Sequence, residues 1–340
     1  MSAVNPKIAV LGGGSFGTAM AHMMASHGRD VTLWMRDSAT AEQIRSTGEN
    51  PRYFPGLKLS PELKVTSDLA AAVAGAGLIL FAIPSKAFRD TAIAVKPHLA
   101  SETVVVSLAK GIEAETFERP SQILEEVLPG HPIGVLSGPN LAKEIAKGEI
   151  TATVIASEHP EVCQLLQSVL ASRAFRVYSN PDRFGVELAG ALKNIYAIIA
   201  GIADARGMGQ NTKSVIITRS LAEMSRFAQR LGANPMTFLG LSGVGDLYVT
   251  CTSPLSRNFQ VGLGIGSGKS LQEVVNAVGQ VAEGVNTTRL VKEKADELGV
   301  YMPLASALYQ TLFTGTSIEV SLMRMMQSEQ NTDVEFMENS

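Results

Sequence analysis

The sequence predicts an α/β fold: an N-terminal Rossmann-type, doubly wound parallel sheet followed by an all-helical C-terminal domain. Three observations carry that reading. Short, strongly apolar, β-branched runs alternate with helical patterns up to about residue 180. A glycine-rich turn follows the first of them, and strand signals become scarce after 180. Strands covered on both faces read as continuous apolar runs, and their alternation with helices implies parallel pairing through crossovers.

Taken in order, Lys7-Ile-Ala-Val-Leu11 is the first strand, and an apolar helix follows through Ala25. Asp30-Val-Thr-Leu-Trp34 is the second strand. The run from Gly77 to Ile83 ends at Pro84, and that from Glu102 to Leu108 ends near Lys110. Ile133–Leu136 and Ala152–Ala156 complete the series. Asn180-Pro181-Asp182 reads as a helix start, with Asn180 as cap and Pro181 at the first helical position. Helical periodicity then covers 182–203, 212–231, 271–278, 284–298 and 304–313. The expected organisation is a dinucleotide-binding domain over 1–180, a helical substrate and catalytic domain over 181–330, and a polar tail over 331–340.

Composition narrows the function classes. With 340 residues, 45% of them apolar and 18% charged, the chain is folded and large enough for two domains. A net charge of −3 without a basic cluster argues against nucleic acid as a partner. Two cysteines, Cys163 and Cys251, make no disulfide framework, and five histidines show no metal-ligand spacing, so no metal is expected. The apolar run near Ile195–Ile202 lies between Lys193 and Asp204 and is short of membrane-spanning length, so no stable membrane insertion is expected. Met1–Lys7 leaves no room for a signal peptide before the first strand, which makes a cytoplasmic location the expectation.

Gly12-Gly-Gly14-Ser-Phe-Gly17 fits G-x-G-x-x-G directly after a strand and at the start of a helix, the context that gives the motif meaning. Gly12 permits the tight turn, Gly14 lets a pyrophosphate approach the backbone, and Gly17 lets the helix pack on the sheet. The pyrophosphate then rests on amides at the helix N-terminus. A glycine turn without ligand is the alternative, and the flanking context argues against it. At the end of the second strand, Arg36 suits adenine stacking or a 2′-phosphate and Asp37 suits a ribose hydroxyl. The pair favours NADP while leaving NAD open, unless it is an ordinary surface pair. Gly264-Ile-Gly-Ser-Gly268-Lys269-Ser270 ends like a phosphate loop, but its first glycine position falls on Leu263 and no strand precedes it. It reads as a turn capping a helix at 271.

Lys193 stands in an apolar helical stretch, Glu187-Leu-Ala-Gly-Ala-Leu-Lys193-Asn-Ile-Tyr-Ala-Ile-Ile-Ala-Gly201. A buried ammonium must be paired, reach the surface, or lose its proton, so this residue is either a snorkelling lysine or one tuned for proton transfer. Downstream, Asp246 follows a glycine pair, and Ser256-Arg257-Asn258 sets a hydroxyl, a guanidinium and an amide side by side. Such a trio can hold a phosphate, and a solvated loop fits the spacing equally.

From residue 7 to about 320 the chain resembles the bacterial-type NAD(P)-dependent sn-glycerol-3-phosphate dehydrogenases. The resemblance rests on Gly12-Gly-Gly-Ser-Phe-Gly17-Thr-Ala, Pro51-Arg-Tyr53-Phe-Pro55, Ser107-Leu-Ala-Lys110-Gly-Ile and Leu136-Ser-Gly138-Pro139-Asn140-Leu-Ala142-Lys-Glu144. It continues through Glu187-Leu-Ala-Gly-Ala-Leu-Lys193-Asn194, Gly245-Asp246-Leu, Ser256-Arg257-Asn258 and Val281-Ala-Glu283-Gly284. It implies that Lys193 is the proton donor and acceptor at the substrate carbinol. It further implies that Lys110, Gly138, Asn140, Asp246, Ser256, Arg257 and Asn258 meet the substrate. It implies as well that Ser15, Phe16, Arg36, Tyr53, Lys110, Ala142, Arg257, Val281 and Glu283 meet NADP or NAD, together with the motif glycines Gly12, Gly14 and Gly17. The family's usual Ser-Phe after Gly138-Pro139 is here Asn140-Leu141.

The implied reaction reduces dihydroxyacetone phosphate to sn-glycerol 3-phosphate and feeds phospholipid synthesis. The implied partner is thus a small phosphorylated substrate, and the apolar helical domain is compatible with a homodimer. Lys193 is expected to have a pKa depressed by burial and by Lys110 and partly restored by Asp246. Two other readings compete: the same fold acting on another small hydroxy acid, and a dinucleotide-sensing scaffold without catalysis. Ser256-Arg257-Asn258 alongside Asp246 argues against the first, and the lysine pair with the Arg257-Asn258 pocket against the second.

Overall fold

A computed structural model describes residues 6–278, 283–317 and 320. The chain forms two compact units, Met1–Ala109 with Glu118–Arg183, and Lys110–Phe117 with Phe184–Ser340.

The first unit alternates strand and helix: β1 (Ile8–Leu11), α1 (Ser15–Ser26), β2 (Val31–Trp34), α2 (Ser38–Thr47), β3 (Lys64–Thr66), α3 (Leu69–Val73), β4 (Leu78–Phe81) and α4 (Phe88–Val95). It continues with β5 (Val104–Ser107), α5 (Pro120–Val127), β6 (Ile133–Ser137), α6 (Ala142–Ala146), β7 (Thr151–Ala156), α7 (Pro160–Leu170) and β8 (Phe175–Asn180). The sheet order is β3-β2-β1-β4-β5-β6-β7-β8, a doubly wound arrangement whose chain order reverses between β1 and β4.

The two-residue period of a strand explains why both faces are covered. Ile8 and Val10 of β1, with Leu78 and Leu80 of β4, join Met20 and Met24 of α1 in one core. Ala9, Leu11, Ile79 and Phe81 point the other way, onto Phe88 of α4 and Ile123 and Leu124 of α5. All eight of these strand side chains are fully buried.

Three expectations are corrected here. The sheet is not wholly parallel: β7 runs antiparallel to β6, in register Val135↔Ala156, while the other described pairs are parallel. β3 and β8 were not expected; β8 buries Phe175 and Val177 and exposes Arg176 and Tyr178, an edge-strand alternation. Asn180 closes β8 instead of capping a helix at Pro181, and its Oδ1 accepts from Asp182 N at 2.8 Å.

The regular elements described in the second unit are helices: α8 (Arg183–Ala205), α9 (Gln210–Arg230), α10 (Asp246–Thr252), α11 (Arg257–Gly266), α12 (Leu271–Val278), α13 (Glu283–Leu298) and α14 (Pro303–Phe313). Arg183, the first residue of α8, counts with the first unit. A 3₁₀ turn at Pro235–Leu239 and a π turn at Leu241–Gly245 lead into α10. By length and composition α8 could cross a membrane, contrary to the expectation from its apolar run alone. Yet 94% of its most apolar stretch is buried inside the protein, which makes it the core helix of this unit. Leu188, Leu192, Ile195, Tyr196 and Ile198 of α8 pack with Met224 and Phe227 of α9, Val261 of α11 and Leu308 of α14.

α10 and α11 were not expected as helices, because the stretch around Asp246 to Asn258 fitted a solvated loop and Gly264 to Gly268 read as a turn. In α11 the glycines are contact points. A Cβ on Gly262 would lie 2.0 Å from Ile198 O, and one on Gly201 of α8 would lie 2.1 Å from Phe259 O. The two helices therefore cross backbone against backbone. Gly264 and Gly266 belong to the same helix, and the turn is confined to Ser267-Gly268. Ser270 caps α12, its N–H donating to Glu273 Oε2 at 2.8 Å while its Oγ accepts from Glu273 N at 3.3 Å. The tail 331–340 and Val281 lie outside the described residues.

Candidate active site

Two constellations arise, one in each unit. In the first, β1 delivers the chain to Gly12 at the C-terminal edge of the sheet, beside β4, where ligands of doubly wound sheets sit. Gly12 has φ +119°, and a Cβ there would meet Ala82 O at 2.4 Å, so no other residue fits. A Cβ on Gly17 would fall 2.0 Å from Gly12 O, which is how α1 packs so close to the turn. Around Gly14 the position of a Cβ is open to 4 Å. Gly14 is the N-cap of α1, no side chain caps its amides, and no acidic residue stands in its first turn. Uncapped amides under open space at a positive helix end fit an anion, and so the diphosphate of a nicotinamide dinucleotide.

The other first-unit residues are placed as follows. Ser15 and Phe16 open α1, and Phe16 and Tyr53 pack partly buried against the α1 face of the sheet. The Arg52 guanidinium lies over the Tyr53 ring, 5.5 Å from its centroid. Arg36 is exposed beyond the end of β2. Asp37 is the N-cap of α2, its Oδ1 accepting from Thr40 N at 2.6 Å, and that bond holds its carboxyl below the usual range. The acidic partner of the pair is thus engaged in capping. Gly138 (φ +143°) follows β6, and Ala142 starts α6. Asn140 Nδ2 donates to Thr153 Oγ1 at 2.8 Å, and Thr153 in turn donates to Ser137 O at 3.0 Å. Its Oδ1 is buried without a hydrogen-bond partner among the described residues.

The second unit holds the charges. Lys193 on α8 and Asp246 at the start of α10 are 5% and 1% exposed. Lys193 Nζ donates to Asp246 Oδ1 at 2.5 Å and to Thr250 Oγ1 at 2.7 Å. Lys110 Nζ donates to the other carboxylate oxygen, Asp246 Oδ2, at 2.7 Å. One buried carboxylate therefore faces two ammonium groups. Burial pushes Lys193 down from 10.5 to about 7, with Asp246 opposing and Lys110 adding to the fall. This is the balance expected from the sequence. Thr250 donates to Asp246 O at 2.5 Å, so its lone pairs face the lysine. Asn194 Nδ2 donates to Lys110 O at 3.0 Å, tying the Lys110–Phe117 segment to α8. Burial pushes the neighbouring Cys251 thiol up to about 12, which removes it as a nucleophile at neutral pH.

Ser256, Arg257 and Asn258 form the N-terminus of α11. Ser256 Oγ accepts from Phe259 N at 3.3 Å as the cap and keeps its O–H to donate. Arg257 is exposed, and Asn258 Oδ1 accepts from Gly284 N at 3.0 Å, which commits its Nδ2 to a donor role elsewhere. Glu283, half-buried, opens α13. A Cβ on Gly284 would lie 2.5 Å from Asn194 O, so α13 begins directly on the Lys193 turn of α8. The second unit thus brings together Lys110, Lys193, Asp246, Ser256, Arg257, Asn258 and Glu283 of the expected residues. Thr250 was missed. Its signal is the Asp246-x-x-x-Thr250 spacing, which puts both on one helix face.

A doubly wound sheet with an anion-ready glycine turn, joined in one chain to a buried lysine–carboxylate cluster, defines a nicotinamide-dinucleotide-dependent oxidoreductase. The profile of the NAD-dependent glycerol-3-phosphate dehydrogenase N-terminus matches residues 7–163, and that of its C-terminus matches 182–323. The glycerol-3-phosphate dehydrogenase [NAD(P)+] of Ectopseudomonas mendocina is 57% identical over 97% of this chain and 96% of that protein. That of Azotobacter vinelandii is 57% identical over 98% of each. A crystal structure of glycerol-3-phosphate dehydrogenase from Coxiella burnetii superposes with a TM-score of 0.92 at 35% identity, covering 95% of this chain and 99% of that one. The chain belongs to the NAD-dependent glycerol-3-phosphate dehydrogenase family.

Proposed function

We propose that this protein interconverts dihydroxyacetone phosphate and sn-glycerol 3-phosphate with NADPH or NADH, the glycine turn of the first unit holding the diphosphate and the lysine cluster of the second acting on the ketone. The observation that carries the residue roles is the buried Lys193–Asp246–Lys110 cluster, which has a proton to give at neutral pH. When bound, the nicotinamide supplies or accepts the hydride. The chain must hold the ketone, stabilise the charge that grows on its oxygen, and deliver one proton. Protonated Lys193 donates to that oxygen and is the base in the reverse direction; Lys110 stabilises the same charge. Asp246 keeps Lys193 protonated enough to donate despite its burial, and Thr250 aims its Nζ.

Ser256, Arg257 and Asn258 bind the substrate phosphate at the α11 N-terminus, where helix dipole and guanidinium act together. Gly138 and Asn140 complete the substrate contacts. Arg36, Tyr53, Ser15, Phe16, Ala142, Lys110, Arg257, Val281 and Glu283 contact the dinucleotide. With Asp37 committed to its helix, Arg36 supports acceptance of a 2′-phosphate. The product serves phospholipid synthesis in the cytoplasm. The exposed Met236, Leu239, Val244 and Tyr248 of the second unit support a homodimer.

Steady-state kinetics with dihydroxyacetone phosphate and with unphosphorylated dihydroxyacetone test the substrate reading. A phosphate grip by Arg257 predicts a kcat/KM at least about 100-fold lower for the unphosphorylated ketone, the scale of two charge-assisted hydrogen bonds. Equal values for the two ketones would refute it.

A further inference from the structure

The loop between α2 and β3 is not an idle connection. It is closed by Leu59 N donating to Gly48 O at 2.8 Å, and its Phe54 is buried in the sheet core. Ser60 N donates to His22 Nδ1 of α1 at 2.9 Å. At its start stands Asn50, fully buried. Asn50 Nδ2 donates to Gly13 O at 3.3 Å and to Thr18 Oγ1 at 3.0 Å. A carbonyl only accepts, so the amide nitrogen, not its oxygen, must face Gly13, and the side-chain orientation is fixed. Asn50 Oδ1 is left buried without a partner among the described residues. The site thus leaves an acceptor unmet while its two donors hold the glycine turn and the first turn of α1.

The consequence follows from the planarity of the peptide bond. In a trans peptide the C=O and the next N–H point in opposite directions. Holding Gly13 C=O toward Asn50 sets the N–H of Gly14 on the other side, at the N-terminus of α1. Glycines have no side chain to keep such a plane in place, so the restraint must come from outside the turn. The Asn50 carbonyl meanwhile accepts from Tyr53 N at 3.2 Å and Phe54 N at 2.8 Å, so one residue also sets the bend that carries Tyr53.

We propose that Asn50 is a positioning residue for the dinucleotide: it locks the Gly13–Gly14 peptide plane in its anion-binding orientation and registers Tyr53 with it. The inference rests on the reading of the glycine turn as the dinucleotide site. The test uses the full-length protein, titrating NADPH by energy transfer from Trp34, the chain's single tryptophan, alongside steady-state kinetics. Asn50→Ala is expected to raise Kd and KM for NADPH about tenfold, the scale of a lost buried hydrogen-bond pair. Asn50→Asp, which turns a carboxylate on Gly13 O, is expected to raise them further. KM for dihydroxyacetone phosphate, and kcat at saturating NADPH, should stay within about threefold of wild type. Thr18→Val keeps the shape of the site and removes one acceptor, with an expected rise in Kd of about threefold. His22→Ala loosens the same loop at its far end and should lower Tm while leaving the NADPH Kd in place. An unchanged Kd in both Asn50→Ala and Thr18→Val overturns the proposal, as does an equal rise in His22→Ala. Wild-type protein that fails to bind NADPH would overturn the reading of the turn itself.

Discussion

The two units solve opposite electrostatic problems. In the first, the buried strands β1 and β4 carry only apolar side chains, and the proposed anion site is backbone: amides of a glycine turn at the start of a helix. In the second, the long apolar core helix α8 carries a buried lysine against a buried aspartate. Holding a diphosphate needs fixed dipoles, which glycine backbone provides without a charge to desolvate. Moving a proton needs a group whose two protonation states are close in energy, and burial brings a lysine there.

Replacing the proposed proton carrier should break this division of labour most severely. Lys193→Met is expected to lower kcat about 10²- to 10⁴-fold, the range of a general acid, while the NADPH affinity measured by fluorescence stays at the wild-type value. Near-normal turnover would remove Lys193 from the mechanism.

Neutralising the carboxylate should sharpen the comparison by moving a pH limb. Asp246 raises the Lys193 pKa, so Asp246→Asn lets it fall below about 7. In the proposed mechanism, reduction needs protonated Lys193. Its rate should therefore decline at a lower pH in the variant, with the limb of the oxidation rate moving the same way. A pH–rate profile identical to wild type would count against the pairing.

The smallest effect concerns a second buried carboxylate in the same unit, remote in role from the cluster. Glu223 of α9 accepts from Leu304 N at 2.6 Å and Ala305 N at 3.2 Å, at the N-terminus of α14, and from Tyr196 Oη at 3.1 Å. Burial raises it from 4.5 to about 7 despite these donors. A raised carboxyl favours folding while protonated, and that contribution fades as pH climbs from 4.5 through 7. The Tm of wild type relative to Glu223→Gln should accordingly fall across this window. A difference constant with pH would show that Glu223 does not titrate there.

The same contrast governs what the sequence reveals. Apolar runs such as Leu78–Phe81 and the glycine spacing of Gly12–Gly17 are local signals, because strand burial and turn geometry are decided by neighbours in the chain. β8 was missed because only Phe175 and Val177 mark its buried face. α11 was missed because glycine lowers helix propensity, and nothing local says that a partner helix needs the space. The return of Lys110–Phe117 to the second unit is a tertiary event. So is the grip of Thr250 on Lys193 and of Asn50 on Gly13, since hydrogen bonds between residues 57 and 37 positions apart leave no periodic trace.

The crossing of α8 and α11 has a consequence for anyone wishing to stabilise this protein. Glycine-to-alanine changes inside helices ordinarily gain about 0.5–1 kcal/mol each. At Gly201 and Gly262 the added carbon would fall 2.1 and 2.0 Å from a carbonyl oxygen, so the helices would have to part. Lys193 rides on one of them and Ser256-Arg257-Asn258 begins the other. Local helix strength has been given up here for a spacer of fixed thickness, two bare backbones wide, and consensus-style stiffening at these positions would detune a ruler.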